Sequence, residues 1–144
     1  MANVIPDSFK TDLLKGTFNF DSSGGSTFKL ALYTDISGLT TSTTAFTTSN
    51  EVSTSGTSYS SGGNTLTNNG VAVSSNIAFV DFADLTFSSV TLSAVGALIY
   101  KSGGSNEAVL VLDFGGTKTA TNGDFVVQFP TASNSAAIIR LGNA

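Results

Sequence analysis

The sequence predicts an all-β fold: an antiparallel two-sheet β-sandwich of jelly-roll-like form with a short N-terminal helix. Three observations support this prediction. Short apolar runs recur along the 144 residues, with turn residues between them at regular spacing, which is typical of sandwiches. The run Thr27–Thr34 alternates, with Phe28, Leu30 and Leu32 on one side and Lys29, Ala31 and Tyr33 on the other, as a strand does. Two nearly continuous apolar runs, Ala97–Tyr100 and Ala108–Leu112, flank a Gly-containing loop and predict a hairpin covered on both faces.

The N-terminal residues 1–16 are expected to form an arm with one short helix. Phe9 and Leu13 lie four residues apart, on one helical face, and Gly16 follows as a stop signal. A helix this short must dock to be stable. It either packs over an open end of the sandwich or grips a neighbouring subunit. Residues 17–144 are expected to form a single β-sandwich domain.

Eight or nine strands are expected in the body, which is long enough to bury a core. In the second strand, Phe28, Leu30 and Leu32 are expected to face that core. Two Asn-Gly pairs, Asn69-Gly70 and Asn122-Gly123, predict hairpin turns. The strands are drawn from the runs Thr17–Phe20, Thr27–Thr34, Thr65–Thr67, Val71–Ser74, Ile77–Phe82, Leu85–Phe87, Val90–Ser93, Ala94–Tyr100, Ala108–Leu112, Asp124–Phe129 and Ala136–Leu141.

A long Ser/Thr-rich loop is expected at residues 35–64. Loops of this length in compact domains are usually functional or held in place by contacts elsewhere. Leu39, Phe46, Val52 and Tyr59 are therefore expected to anchor it to the body. Tyr59 is the best candidate for an exposed contact.

The composition argues against several functional classes. Charged residues make up 11% of the chain, against about 25% in typical proteins. The net charge is −4 and the six Lys and Arg residues are scattered, so no basic stripe is available for nucleic acid. The chain has no His and no Cys, which removes the commonest nucleophile–base pairs and zinc ligands. We therefore expect no catalytic residues, no metal and no cofactor.

Neither a secretory signal nor a membrane helix is expected. Residues 1–6 lack a basic stretch followed by an apolar core. The apolar runs are far shorter than the roughly 20 residues that a membrane helix needs. If the protein leaves a cell, we expect it to do so by lysis or with a carrier.

Three carboxylates near strands leave alternatives open. Asp81, Asp84 and Asp113 could provide a pair for glycoside hydrolysis, which needs two carboxylates in one groove. Asp81 and Asp84 could also offer oxygen ligands to Ca²⁺. In the simpler interpretation, Asp84 caps a turn, while Asp81 and Asp113 lie at strand edges and discourage unwanted pairing.

Several segments, in order along nearly the whole chain, resemble small virion proteins of tailed bacteriophages. This resemblance implies a non-enzymatic capsid decoration, or cement, protein that is made in the host cytoplasm and binds the outer capsid surface. Its implied partners are the major capsid protein and further copies of itself, as a dimer or trimer. The segments are Met1–Lys10, Leu13-Leu14, Phe28–Tyr33, Gly96–Tyr100, Leu112–Gly115, Phe129-Pro130 and Ile138–Arg140.

The candidate interface comes from the N-terminal arm and the long loop, because the hairpin is expected to form the rigid centre. A protein of another class remains as the alternative, a tail or fibre adhesion module or a carbohydrate-binding β-sandwich. The candidate interface residues are Ile5, Phe9, Leu13, Leu14, Phe46 and Tyr59.

Overall fold

The structure, a computed structural model, describes residues 3–143 and contains two antiparallel sheets and one short helix. The four-stranded sheet has the order β2-β1-β5-β6 and the three-stranded sheet the order β3-β4-β7. The expectation of a mostly β protein with two antiparallel sheets is confirmed, and the arrangement is consistent with a β-sandwich. Within the described range the elements are α1 (Asp7–Leu14), β1 (Phe28–Tyr33), β2 (Asn64–Thr65), β3 (Asn68–Ser74), β4 (Ile77–Phe82), β5 (Leu85–Lys101), β6 (Ala108–Val127) and β7 (Ile139–Leu141).

The hairpin of β5 and β6 is the longest feature of the fold. Its predicted part is confirmed, with Ala97 opposite Leu112 and Ile99 opposite Leu110. The pairing continues much further, because β5 has 17 residues and β6 has 20. The short strands expected at 85–87 and 90–93 are therefore parts of β5, and most of the strand expected at 124–129 is the end of β6. These mergers, with the absence of a strand at 17–20, reduce the number in the described range to seven.

The predicted turn at Asn122-Gly123 is wrong. Gly123 lies opposite Val90 inside the ladder, and Asn122 has a φ of 47° at an irregularity in the register. A β-bulge and a hairpin turn both accept positive φ at Asn and Gly. The Asn122-Gly123 pair therefore indicates a bulge within β6 and not a turn.

A larger irregularity divides the β5–β6 pair into two halves. Between the pairs Ala94–Lys118 and Gly96–Asp113, two steps along β5 match five along β6. Gly115, within the extra segment, has a φ of 77°, a conformation that glycine adopts without strain. Bulges bend strands, and only the half nearer the tip also pairs with β1, through residues 96–101.

The second Asn-Gly prediction is also wrong. Asn68–Ser74 forms one strand, and the turn to β4 lies at Ser75-Asn76, whose φ values are 50° and 64°. Positive φ at both central residues is the signature of the two-residue type I′ turn. Gly70 marks a bulge instead, and a Cβ there would lie 3.3 Å from the Ser22 hydroxyl oxygen.

The N-terminal helix packs over the sandwich through an aromatic cluster. The Phe9 ring lies 4.9 Å from that of Phe18, and the rings of Phe20 and Phe28 stack at 4.7 Å. The expected strand at 17–20 is wrong, since these residues join no ladder. Phe18 and Phe20 are nevertheless buried. Of the two alternatives for the helix, packing on its own body is the one seen.

The long loop covers the outer face of the four-stranded sheet. Residues 35–63 form turns and isolated bridges without a regular element, as expected. Leu39 is buried, and Phe46 stacks on Tyr100 with ring centroids 4.7 Å apart. A second apolar cluster, separate from the main core, thereby forms on this face and includes Tyr33 and Leu98. This explains why the hairpin strands are apolar on both faces.

Replacing Phe9 by alanine should test the docking of the helix. Phe9 is 2% exposed inside the aromatic cluster, so Phe9→Ala should lower the free energy of unfolding by about 3 to 5 kcal/mol. Leu14, in the same helix, is 89% exposed, so Leu14→Ala should change it by less than about 0.5 kcal/mol. Urea unfolding of both variants provides the measurement. Equal stability of the two variants would contradict the docking.

Candidate functional site

The six candidate interface residues differ in their exposure, and Phe46, which stacks on Tyr100, is partly buried. Phe9 is part of the core, and Leu13 packs against it while partly buried. Leu14 is 89% exposed, and Ile5 is 36% exposed. The expectation that Tyr59 is exposed is wrong, since it is only 3% exposed. Tyr59 can be buried because its hydroxyl group forms hydrogen bonds with Glu51 and with the backbone of Leu32.

Glu51 organises the polar side of the long loop. Its Oε1 accepts hydrogen bonds from the Tyr59 hydroxyl at 2.7 Å and from the Gly62 N–H at 2.6 Å, and its Oε2 accepts one from Ser61 at 2.8 Å. The Tyr59 oxygen in turn accepts the Leu32 N–H at 3.0 Å. One carboxylate thus links two parts of the loop to strand β1.

All three tyrosines of the chain lie around this carboxylate. The Tyr33 hydroxyl donates to the Thr47 carbonyl at 2.6 Å, and the Tyr100 hydroxyl donates to the Gly62 carbonyl at 2.7 Å. Burial raises the pKa of Tyr33, Tyr59 and Tyr100, and the nearby negative charge of Glu51 raises each further. They therefore remain neutral hydrogen-bond donors. None offers an exposed aromatic platform.

The sequence interpretation overlooked Glu51. It is the single charged residue between Asp35 and Asn64. A lone carboxylate in a Ser/Thr-rich segment with buried anchors was the available signal, because a charge in such a place needs several donors.

Removing the Glu51 carboxylate should loosen the loop. Glu51→Ala leaves the Tyr59 hydroxyl and the Gly62 N–H without their acceptor, so the free energy of unfolding should fall by about 2 to 4 kcal/mol. Glu51→Gln keeps one acceptor oxygen, so it should lower the free energy of unfolding by less than Glu51→Ala does. Ser61→Ala, which removes a single exposed hydrogen bond, should stay within about 0.5 kcal/mol. Chemical unfolding of the three variants measures this order, and a neutral Glu51→Ala would contradict the role.

The three carboxylates singled out in the sequence have separate environments. Asp81 is 1% exposed on β4, the central strand of its sheet, so the expected edge position is wrong. Asp84 accepts the N–H of Phe129 at 2.8 Å, which ties the segment after β6 to the start of β5. Asp113 accepts the Gly115 N–H at 2.8 Å, and this bond lowers the pKa of Asp113.

These positions do not bring the three carboxylates into one groove. Asp113 lines the larger of two surface grooves, and neither Asp81 nor Asp84 does. Among residues 3–143, no group of three or more His, Cys, Asp or Glu side chains is arranged to hold a metal ion. The structure therefore does not assemble the shared groove that the hydrolase alternative requires.

Asp81 carries an uncompensated polar group. Its Oδ1 accepts the Phe82 N–H at 2.9 Å, while its Oδ2 is buried without a hydrogen-bond partner in the described part of the chain. Burial raises the pKa of Asp81, and the negative charge of Asp84 raises it further. The folded chain therefore keeps the Asp81 proton to higher pH than the unfolded chain, and stability falls as the pH rises through this raised pKa.

Asp81→Asn should remove the loss of stability that ionisation of Asp81 causes, because asparagine carries no charge. We expect the variant to be more stable than the unmodified protein at neutral pH, with a difference that shrinks as the pH falls towards the ordinary Asp pKa of 3.8. Urea unfolding across a pH series measures this. Asp35→Asn should show the opposite sign, because the Ser37 N–H lowers the pKa of Asp35. Lower stability of Asp81→Asn at neutral pH would contradict the burial argument.

Two surface grooves remain as candidate binding sites. The β6 groove, of about 630 Å³, runs beside the far half of β6, and its lining includes Asp113, Lys118, Phe125 and Phe129. The sheet groove, of about 290 Å³, lies between α1 with the chain that follows it and the three-stranded sheet. Its lining is mostly apolar and includes Leu13, Phe18, Phe20, Val71, Val80 and Leu141.

The sheet groove opens onto an apolar face that the body does not cover. Val71 lies opposite the buried Val80, and both Val73 and Leu141 lie opposite Ala78. Directly opposed residues share a face of the sheet, so all of them continue the core-facing side. Val71, Val73 and Leu141 are nevertheless 58%, 72% and 56% exposed. We name Val71, Val73, Ala78 and Leu141 the overhanging face.

Comparison of the chain with protein-family models, with curated proteins and with solved structures finds no match in any of the three. Within residues 3–143, no helix has both the length and the apolar character needed to cross a membrane. Contiguous exposed apolar surface of the kind seen in the overhanging face usually marks a site of protein–protein contact.

Proposed function

We propose that this chain is a non-enzymatic virion structural protein, a decoration or cement protein that binds the outside of a tailed-bacteriophage head shell. The observation that carries the proposal is the overhanging face, an apolar docking surface on a body whose charged residues make up only 11% of the chain. The resemblance of the sequence segments to small phage virion proteins supplies the identity of the partner, the major capsid protein.

The physical properties of the body suit this role. A cement protein needs a rigid shape and surfaces that lose little when they leave water. A Ser/Thr-rich, charge-poor surface can be buried at an interface with few unpaired ions, which are costly to desolvate. Binding across neighbouring coat subunits then stabilises the shell by mass action, because the protein binds the assembled lattice and not its separated subunits.

A tail or fibre module that binds host glycans is the second candidate. The β6 groove favours it, since its volume of about 630 Å³ lies within the usual range of about 300 to 1,000 Å³ for ligand pockets. The groove also combines polar side chains such as Lys118 and Gln128 with the apolar Phe129. The buried tyrosines, in contrast, remove the flat platforms that sugar-binding sandwiches usually present.

Co-sedimentation with head shells tests the proposed function. Shells assembled from the coat protein of the same genome should retain the purified protein saturably and melt at higher temperature in calorimetry. Leu141→Glu, on the overhanging face, should weaken this binding by about tenfold or more. Val126→Glu is the matched control, because Val126 is an exposed valine that lines the β6 groove and not the sheet groove, so it should leave shell binding unchanged.

Failure of the unmodified protein to bind shells would contradict the proposal. Cryo-EM of the intact particle provides an independent readout, since a decoration protein should occur in copy numbers that follow the capsid lattice. Density confined to the tail, together with glycan binding that Lys118→Ala abolishes, would favour the second candidate instead.

A further inference from the structure

Strand β3 forms an edge at which residues 71–74 lack the charged residues and proline that commonly protect edge strands. Among residues 3–143 it pairs with β4 alone, and residues 71–76 are all exposed. Natural edge strands are normally guarded by lysine, proline or inward-pointing charge. The segment Val71–Val80 has no charged residue and no proline. An exposed, uncharged edge next to an apolar face is a surface that another strand would cover.

The turn between β3 and β4 fixes which backbone groups point outwards. Ser74 and Ile77 flank the two-residue turn and lie directly opposite each other, so they form a hydrogen-bonded pair. Hydrogen-bonded and non-bonded pairs alternate along an antiparallel ladder. Ala72 therefore also points its N–H and C=O towards β4, whereas Val71 and Val73 point theirs away from it. The free edge thus offers the N–H and C=O of these two valines.

We propose that a second copy of this chain pairs with β3 in antiparallel orientation, about a two-fold axis at Ala72. This register places Val71 opposite Val73 of the second copy, and the reverse. Both residues have outward-facing backbone groups, so the two opposed pairs close four hydrogen bonds. The valines then meet across the junction on the face shared with the core, where β-branched cross-strand pairs are favourable.

A second copy is favoured over another partner because the strand is symmetric about this axis. The sequence Gly70-Val71-Ala72-Val73-Ser74 has small residues at both ends and valine on both sides of Ala72. A two-fold interface brings the same patch of each copy together, so a pattern that is symmetric in this way is self-complementary. Each chain has a net charge of −4, yet this segment brings no like charges together.

The free edge has a defined length. The chain turn at Ser22 lies against Gly70, since a Cβ on that glycine would be 3.3 Å from the Ser22 hydroxyl. Pairing is therefore confined to residues 71–74, between this contact and the turn. The resulting dimer would join two three-stranded sheets into one sheet of six strands and bring the two overhanging faces side by side.

This inference rests on the proposed function, because the resemblance to phage virion proteins implies further copies of the chain as partners, and it names the surface through which they would associate. Its test uses purified protein alone, so that dimer formation and shell binding can fail independently. Sedimentation velocity should show a concentration-dependent dimer of the unmodified protein. Two double variants test the contact: one replaces Val71 and Val73 by lysine, and the other replaces both by glutamate. Each should sediment as a monomer, because like charges would oppose each other across the axis.

Mixing the two charge variants gives the most specific readout. Each lysine of one chain would lie opposite a glutamate of the other, so the mixture should form a one-to-one heterodimer that neither variant forms alone. Recovery of a dimer also shows that both variants are folded. Val126→Lys should dimerise like the unmodified protein, since its exposed valine lies on β6.

Three results would overturn the inference. The unmodified protein could remain a monomer at every concentration, the lysine or glutamate variants could keep the dimer, or the oppositely charged pair could fail to combine. The first result would show that β3 does not pair with a second copy. The second would place self-association elsewhere on the surface, and the third would exclude the register centred on Ala72.

Discussion

The pairing of β5 with β6 near the hairpin tip is the constraint on which the rest of the structure depends. Ala97 and Ile99 face the main core, while Leu98 and Tyr100 face the second apolar cluster. A strand pair that is apolar on both faces is stable in water only when other segments cover each face. The aromatic cluster below α1 helps to build one cover. The loop at residues 35–63 forms the other cover, which gives a physical reason for its length.

A cover made largely of Ser and Thr has little apolar surface of its own, so polar bonds must set its position. Glu51 supplies three acceptor contacts inside the loop, and the Tyr59 hydroxyl links it to β1. Tyr33 and Tyr100 bind loop carbonyls from the sheet side. Because these hydroxyl groups are buried, their pKa values rise and they remain donors. The loop is thereby held as part of the body.

Sequence patterns predicted the elements whose signals are local and missed those that depend on position in space. Gly70 and Asn122 do adopt positive φ, as their Asn-Gly pairs suggested, yet both serve bulges, which share these dihedral angles with turns. The turn at Ser75-Asn76 had a weaker local signal. The role of Glu51 depends on donors up to 11 residues away. Spacing in the sequence does not reveal which distant donors converge on one carboxylate.

The overhanging face also could not be predicted from the sequence. Val71 and Val73 have the sequence pattern of core residues, and they lie on the core-facing side of their sheet. They are exposed because α1 and residues 17–21, which cover the start of this face, do not extend to the turn between β3 and β4. Water therefore contacts a surface of core composition, at a free energy cost that grows with its apolar area. In a chain with so few charges to keep such a surface soluble, covering it by another protein surface removes this cost.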